Sequence, residues 1–324
     1  MKVLTATTDH IAQAAKALRD GDLVAMPTET VYGLAGDAHN SAAIQKIYAT
    51  KGRPQHNPLI LHVADMDAAE KYGAFNDNAR ALASVFWPGP LTLVVSRRAD
   101  DKTSEPLASC FLSLETLAIR IPAHAVAQAL LREFGGAIAA PSANLSGQLS
   151  PSQVDHVARA FSEKDQPKII LAGGRTDTGL ESTIVDCTDA LPKILRPGSI
   201  THEQLCAVVE NILPFDPQAK TQTITAPGQL EKHYAPQKKL RLNVAEIMEG
   251  EALLAFGPEP LWVRRAVMLR NLSPDGDLTQ AAQNLFTMLH ELDQSVGSGI
   301  AVMPIPAQGP GVAINDRLRR GAMR

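Results

Sequence analysis

The chain has 324 residues, of which 45% are hydrophobic and 20% charged, with a formal net charge of -3. Its length exceeds what one hydrophobic core normally supports, so two domains are expected; its composition excludes a mainly disordered chain, and its near-neutral balance excludes a protein whose main task is to coat nucleic acid. Cys110, Cys187 and Cys206 lie far apart with no C-x-x-C spacing, which argues against a disulfide framework or structural zinc and for a reduced, cytoplasmic setting. No segment offers the ~18 uninterrupted apolar residues of a membrane span, so no membrane partner is expected.

"TTDHIAQAAKALRDG" predicts a helix that Thr7 or Thr8 caps, that Ile11, Ala14, Ala15 and Leu18 stripe, and that Gly21 ends. A short strand, "LVAM", stops at Pro27. Beyond the polar "PTETVYG", "NSAAIQKIYATKG" reads as a second helix with Ser41 as cap, Ile44, Ile47 and Tyr48 as stripe and Gly52 as stop, so Lys51 and Arg53 flank a helix C-terminus. "LILHV", "LTLVV", "LAIRI", "AIAA", "KIILA", "STIVD" and "KILR" follow as short strands, some separated by helices at "AHAVAQALLREFGG" and "SPSQVDHVARAF". Connections such as "AGGRTDTGLE" are too short for a helical crossover, so an α/β fold with a mixed, twisted sheet and flanking helices is expected. "THEQL" has the form of a capping box and predicts a helix ending near Leu213.

Residues 214–237, "PFDPQAKTQTITAPGQLEKHYAPQ", show no sustained period and read as an interdomain linker able to act as an active-site lid. The expected division is therefore residues 1–213, the linker 214–237, and residues 238–324. In the last part "ALLAFG", "RAVMLRNL" and "GIAVMPIP" read as strands, Leu278, Ala282, Leu285, Leu289 and Leu292 stripe a helix, and "GVAINDRLRRGAM" closes a smaller Rossmann-like α/β unit.

The phosphate-loop, dinucleotide-fold, zinc-protease and hydrolase signatures are all missing from the sequence. What remains is a set of polar groups at strand ends and loops: Thr28 and Thr30, then Lys51, Arg53, Asn57 and His62, then Arg120, Ser142, Asn144, Ser182 and Arg196. Each has a bland alternative. Lys51 can complement a helix dipole, His62 can be an ordinary strand residue, and Ser142 and Asn144 can be turn residues after Pro141. Arg120 interrupts an apolar strand and so needs a buried carboxylate, from Glu29, Glu181 or a ligand.

In order along the chain, "PTETVYGLAGDA", "KGRP" with "NPLILHV", "APSANLSG", "GLESTIVD" and "LRPGSI" closely resemble the YrdC-like family of L-threonylcarbamoyladenylate synthases. "HYAP", "NLSPDGDLTQAAQNLFTMLHELD" and "GVAINDRLRR" resemble the long, two-domain branch, so the resemblance covers nearly the whole chain. It implies a YrdC-like catalytic domain and synthesis of threonylcarbamoyl-AMP and pyrophosphate from L-threonine, bicarbonate and ATP. A divalent metal, expected to be magnesium, would come with the ATP, and the product would pass to a tRNA threonylcarbamoyl transferase that modifies the adenosine beside the anticodon.

Position by position, the resemblance implies that Lys51, Arg53, Ser142 and Asn144 carry catalysis. Thr30, His62, Arg120, Ala140 and Ser182 would touch threonine, and Arg53, Asn57, Thr116, Ser142, Ser150, Arg196 and Tyr234 would touch ATP. The segment leading into Thr116, "SEPLASCFLSLE", departs from the family's glycine-containing pattern. Physically, two anions must meet in such a reaction, which calls for fixed cations around the phosphates. An RNA-binding translation or ribosome factor is the competing expectation, though aromatics at 4% and no basic excess give it little to stack on or track.

Overall fold

The protein is described by a computed structural model, in which residues 1–98, 107–161, 166–218, 226–227 and 233–323 are placed. The linker residues 219–225 and 228–232, on which part of the expected lid falls, lie outside the described residues.

The strands of the first part are β1 (Lys2–Thr5), β2 (Val24–Met26), β3 (Gly33–Asp37), β4 (Ile60–His62), β5 (Gly73–Ala74), β6 (Leu91–Arg97), β7 (Thr116–Arg120), β8 (Ile138–Ala139), β9 (Ile169–Ala172), β10 (Thr183–Asp186) and β11 (Lys193–Arg196). Among the described residues they form one sheet in the order β1-β9-β2-β3-β8-β4-β7-β6-β10-β11, with β5 beside β6. Parallel pairs such as β4 with β7 alternate with antiparallel ones such as β6 with β7, as the short connections imply. A second sheet comprises β12 (Lys239–Arg241), β13 (Glu251–Ala255), β14 (Leu269–Asn271) and β15 (Gly299–Val302) in the order β12-β15-β13-β14. Its pairs are all parallel, with helices Leu278–Asp293 and Pro310–Ala322 following β14 and β15, so the smaller unit has the expected Rossmann-like character.

Helix α1 (Thr8–Arg19) starts on Thr7, whose side chain accepts from the His10 amide. Helix α2 (Ser41–Lys51) is capped by Asn40 rather than Ser41: the Asn40 side chain accepts from the amides of Ala42 and Ala43. It stops where Gly52 turns left-handed, at φ 59°, a conformation glycine adopts without strain. The capping box at Thr201 and Gln204 forms, but its helix covers only His202–Cys206. Farther on, the Leu213 carbonyl accepts from the Ile194 amide, so backbone pairing to β11 takes up the segment expected to stay helical.

Strand alternation separates two faces of the large sheet. Leu61, Leu93, Ile119 and Val185 enter the principal core, which α2 also covers through Ile44, Ile47 and Tyr48. The opposite face carries Ile60, Val94, Ala118 and Ile184 in a small apolar cluster with Ala226 of the linker. The register on this face pairs His62 with Arg120, Thr92 with Ile184, and Ile184 with Arg196. Extending the β6–β7 register by one residue sets Arg120 opposite Thr92, so neighbouring strands line up His62, Arg120, Thr92, Ile184 and Arg196 in one row.

Candidate active site

His62, Arg120 and Arg196 of that row open on a small cavity of about 50 Å³. Thr28, Thr30, Arg53, His62, Arg120, Ala140, Ser142, Glu181, Ser182 and Arg196 line it, and Pro227, His233 and Tyr234 of the linker complete its wall. The five positions expected to touch threonine, Thr30, His62, Arg120, Ala140 and Ser182, thus come together from five separate stretches of chain. Of the expected nucleotide positions, Arg53, Ser142, Arg196 and Tyr234 share the same lining.

Arg120 is buried, and its Nη2 lies 2.6 Å from Glu29 Oε1. Nη1 donates to Thr30 Oγ1 at 2.9 Å and Nε to the Gly89 carbonyl at 3.2 Å. The contact to Glu29 is close but poorly angled: neither Glu29 oxygen, nor Arg120 Nη2, has a hydrogen-bond partner among the described residues. Burial pushes the Glu29 carboxyl up, but the adjacent Arg120 charge outweighs it, leaving the pKa below the ordinary value. Of the two candidate protein partners for Arg120, Glu29 is therefore the one used, and Arg120 keeps a donor with capacity to spare.

Arg53 and Arg196 are held differently, each anchored on main-chain carbonyls. Arg53 donates from Nε to Asn57 O at 3.1 Å and from Nη2 to Pro58 O at 2.8 Å. Arg196 directs Nε and Nη2 to Ser182 O at 3.1 and 2.9 Å, and Nη2 also reaches Ser182 Oγ at 3.1 Å. Neither forms a salt bridge with a described carboxylate, and burial lowers both pKa values, Arg53 to about 10. Both remain charged at neutral pH. Two desolvated guanidiniums without a salt bridge to any described carboxylate share one cavity, an arrangement suited to an anion. Gly198 in "LRPG" fits this region because a Cβ there would stand 2.4 Å from the Thr183 amide nitrogen and 2.6 Å from the Glu181 carbonyl oxygen.

Lys51 is placed otherwise than expected. It lies outside the cavity lining, buried at the end of α2, and its Nζ donates to the carbonyls of Ser142, at 2.6 Å, and Asn144. Burial, and then the neighbouring Arg53 charge, pull its pKa well down. Asn144 likewise shapes its own loop, donating to the Leu145 and Gln148 carbonyls at 2.9 Å. Lys51 therefore fixes the "PSAN" turn that presents Ser142. Lys51→Ala is expected to cut turnover roughly tenfold or more by releasing that turn, while Lys51→Arg, too bulky for the same two carbonyls, should not restore it; steady-state kcat checks this.

Asn57 is buried with neither side-chain amide atom partnered among the described residues, and its carbonyl holds Arg53. Ser150 sits deeper than a simple ligand contact: its hydroxyl donates to Glu181. The structure does not bring Thr116 to the cavity wall. Four residues of β7 separate it from Arg120, about 13 Å, although strand alternation keeps both on one face and the β4–β7 register carries Thr116 level with Pro58, where Arg53 is anchored.

His62 donates from Nδ1 to the Ile60 carbonyl at 3.3 Å, which leaves Nε2 as an acceptor. Burial and the Arg120 charge bring its pKa to about 3, so the ring is neutral at physiological pH. Tyr234 is buried at φ 63° with its hydroxyl unpartnered among the described residues, a strained backbone of the kind found at functional sites. Among the polar contributors, Glu181 and His233, which line the cavity, and Thr92, whose hydroxyl is 2.7 Å from that of Ser182, were not singled out from the sequence as site residues. Only the "HYAP" motif offered a signal for His233.

An α/β sheet that gathers a buried arginine beside two guanidiniums without a salt bridge to a described carboxylate defines a domain whose cavity suits small anionic ligands. Residues 16–198 match the Sua5–YciO–YrdC family, described as telomere recombination, and residues 200–323 match the C-terminal domain of threonylcarbamoyl-AMP synthase. The chain belongs to the Sua5/YrdC family in its two-domain form. It is 38% identical to the threonylcarbamoyl-AMP synthase of Bacillus subtilis, over 98% of this chain and 94% of that one. The Pyrococcus abyssi enzyme of the same name is 36% identical, over 95% of this chain and 93% of that one. The crystal structure of P. abyssi Sua5 complexed with L-threonine superposes with a TM-score of 0.88, at 31% identity, covering 99% of this chain and 98% of that one.

Proposed function

We propose that the chain is a threonylcarbamoyl-AMP synthase, a nucleotidyltransferase serving tRNA modification. The observation that carries the reading is one cavity holding both Arg120, suited to an amino-acid carboxylate, and Arg53 with Arg196, suited to phosphates. The similarity to named synthases, and threonine in the P. abyssi Sua5 complex, support it.

On this reading Arg120 and Thr30 hold the threonine carboxylate, and Ser182 and the His62 Nε2 lone pair meet its hydroxyl and amine. The amine attacks bicarbonate carbon, water leaves, and a carbamate results. A carbamate oxygen then attacks the α-phosphorus of ATP and pyrophosphate departs. Arg53 and Arg196 neutralise the phosphates, Ser142 and Asn57 add hydrogen bonds, and Thr116 serves the nucleotide's outer end along the same sheet face. The cavity is far below the ~300–1,000 Å³ of an ordinary ligand site, so entry of a nucleotide requires Pro227, His233 and Tyr234 to withdraw.

A divalent ion, magnesium by preference, accompanies the ATP on this reading. Glu181 is the one carboxylate among the described lining residues, and Ser150 and Arg317 occupy its two oxygens. The lining fits an ion held by phosphate oxygens and water rather than by a protein cage. The ion, when bound, would offset phosphate charge. The setting is cytoplasmic, with the product handed to a tRNA threonylcarbamoyl transferase; among the described residues no helix is long and apolar enough to cross a membrane.

The test is to mix protein, ATP, magnesium, bicarbonate and threonine, omit each in turn, and follow pyrophosphate. Release is expected only from the complete mixture. Release that ignores threonine would remove the reading, and salt-dependent RNA binding without threonine-dependent release would favour a translation factor.

A further inference from the structure

We infer that Arg317, on helix Pro310–Ala322 of the C-terminal part, is a positioning residue for nucleotide binding: by holding Glu181 it prevents that carboxylate from neutralising Arg196. The inference rests on the ATP-dependent reading above and gives the C-terminal domain a task inside the site.

Arg317 is fully buried. Its Nε donates to Glu181 Oε2 at 2.8 Å and its Nη1 to Asp316 Oδ2 at 3.0 Å, while its guanidinium carbon lies 5.0 Å from the centre of the Tyr234 ring. The hydroxyl of Ser150 engages the other oxygen of Glu181. Glu181 is thus clamped from both sides, by one group on each side of the linker.

The clamp matters because of what else shares the cavity. Glu181 precedes Ser182, on which Arg196 is anchored, and both Glu181 and Arg196 line the wall, each feeling the other's charge. A carboxylate beside bound phosphates repels them, and a carboxylate paired to Arg196 would take up one of the two guanidiniums that form no salt bridge with a described carboxylate. Arg317 settles the competition. It neutralises Glu181 from behind the wall and leaves Arg196 for the anion. Its own burial is supported by Asp316 and by the Tyr234 ring face, so the same cation also steadies the linker aromatic that closes the cavity.

The experiment compares wild type, Arg317→Met and the double variant Arg317→Met/Glu181→Gln, measuring KM for ATP and for threonine by pyrophosphate release, with circular dichroism to check folding. Arg317→Met is expected to raise the ATP KM roughly tenfold, the size of one lost charge-assisted contact, with the threonine KM within about twofold. In the double variant the neutral amide that replaces the Glu181 carboxylate has no charge to give Arg196, so the ATP KM should return to within about threefold of wild type. Relieving the stranded Glu181 charge would also restore stability, so the readout that a purely structural role would not move is the split between substrates: an ATP KM that rises in the single variant and returns in the double one while the threonine KM stays within about twofold. A double variant that keeps the raised ATP KM, or a single variant that raises both KM values equally, overturns the inference. If Arg317→Met does not fold, the double variant decides alone: an ATP KM near wild type supports the inference and a tenfold rise overturns it. Wild-type protein that releases no pyrophosphate would overturn the functional reading itself and the inference with it.

Discussion

Arg120→Ala should raise the KM for threonine at least ~100-fold while leaving the KM for ATP within a few-fold, because what is lost is a buried, charge-assisted grip on a carboxylate, and ~100-fold corresponds to about 2.7 kcal/mol. The geometry adds a consequence for stability. Arg120 is the ion-pair partner of buried Glu29, so its removal strands a carboxylate whose oxygens already lack hydrogen bonds among the described residues. Breaking such a pair from one side costs about 3–5 kcal/mol. The double variant Arg120→Ala/Glu29→Gln removes the stranded charge and should recover most of that stability without recovering threonine affinity. Pyrophosphate-release kinetics and urea unfolding of both variants separate the two effects. Equal rises in both KM values, or a double variant with a wild-type threonine KM, would show that Arg120 serves only the fold.

The same pair shows how far the sequence could be read. An arginine inside "LAIRI" demands a carboxylate, and Glu29 and Glu181 are the evident candidates, but sequence cannot choose between them. The choice is made by topology: β7 brings Arg120 to the loop after β2, while Glu181 faces Arg317, 136 residues further along the chain. Periodicity made β4, β6, β7, β10 and β11 legible because each carries branched apolar residues. It did not reveal β3, "GLAGD", whose glycines weaken any strand signal, nor β1, an exposed strand with no alternation to betray it. The donors at strand ends were legible as residue types. Their division of labour was not, since Lys51 and Arg53 stand two residues apart yet one secures a turn and the other lines the cavity. Which side of a wall a cation occupies depends on packing around it.

Acid should destabilise this protein at pH values above those at which Glu29 and Glu181 lose their contribution. Burial, with neighbouring charges, brings His62 and His156 to about 3 and lowers His233; it lowers His290 too, against the opposing pull of the Ser150 carbonyl and Asp293. His156 and His290 stack with ring centres 3.8 Å apart, so protonating either would set a cation against its neighbour. Each of these groups has a folded pKa below the unfolded value of about 6.5, so the unfolded chain takes up protons first as pH falls. Their stabilising contribution is complete above pH ~6.5 and is lost progressively towards the folded pKa values, by up to ~1.4 kcal/mol per pH unit for each histidine. Glu29 and Glu181, whose folded pKa values lie below 4.5, contribute fully above that value and lose their share only at lower pH. Between about pH 6.5 and 5.5 these histidines therefore lose stability before Glu29 and Glu181 do. Urea midpoints measured at pH 7.5 and 5.5 should fall by an amount worth several kcal/mol, and His156→Gln, outside the cavity, should shrink that fall by roughly one histidine's share. Because His62 is already neutral above pH ~4, the dependence of kcat/KM on pH should show no ionisation from it near 6.5. Midpoints that stay level from pH 7.5 to 5.5 would mean that these rings reach water or a carboxylate in solution, and the dry, cationic surroundings assigned to His62 would have to be abandoned.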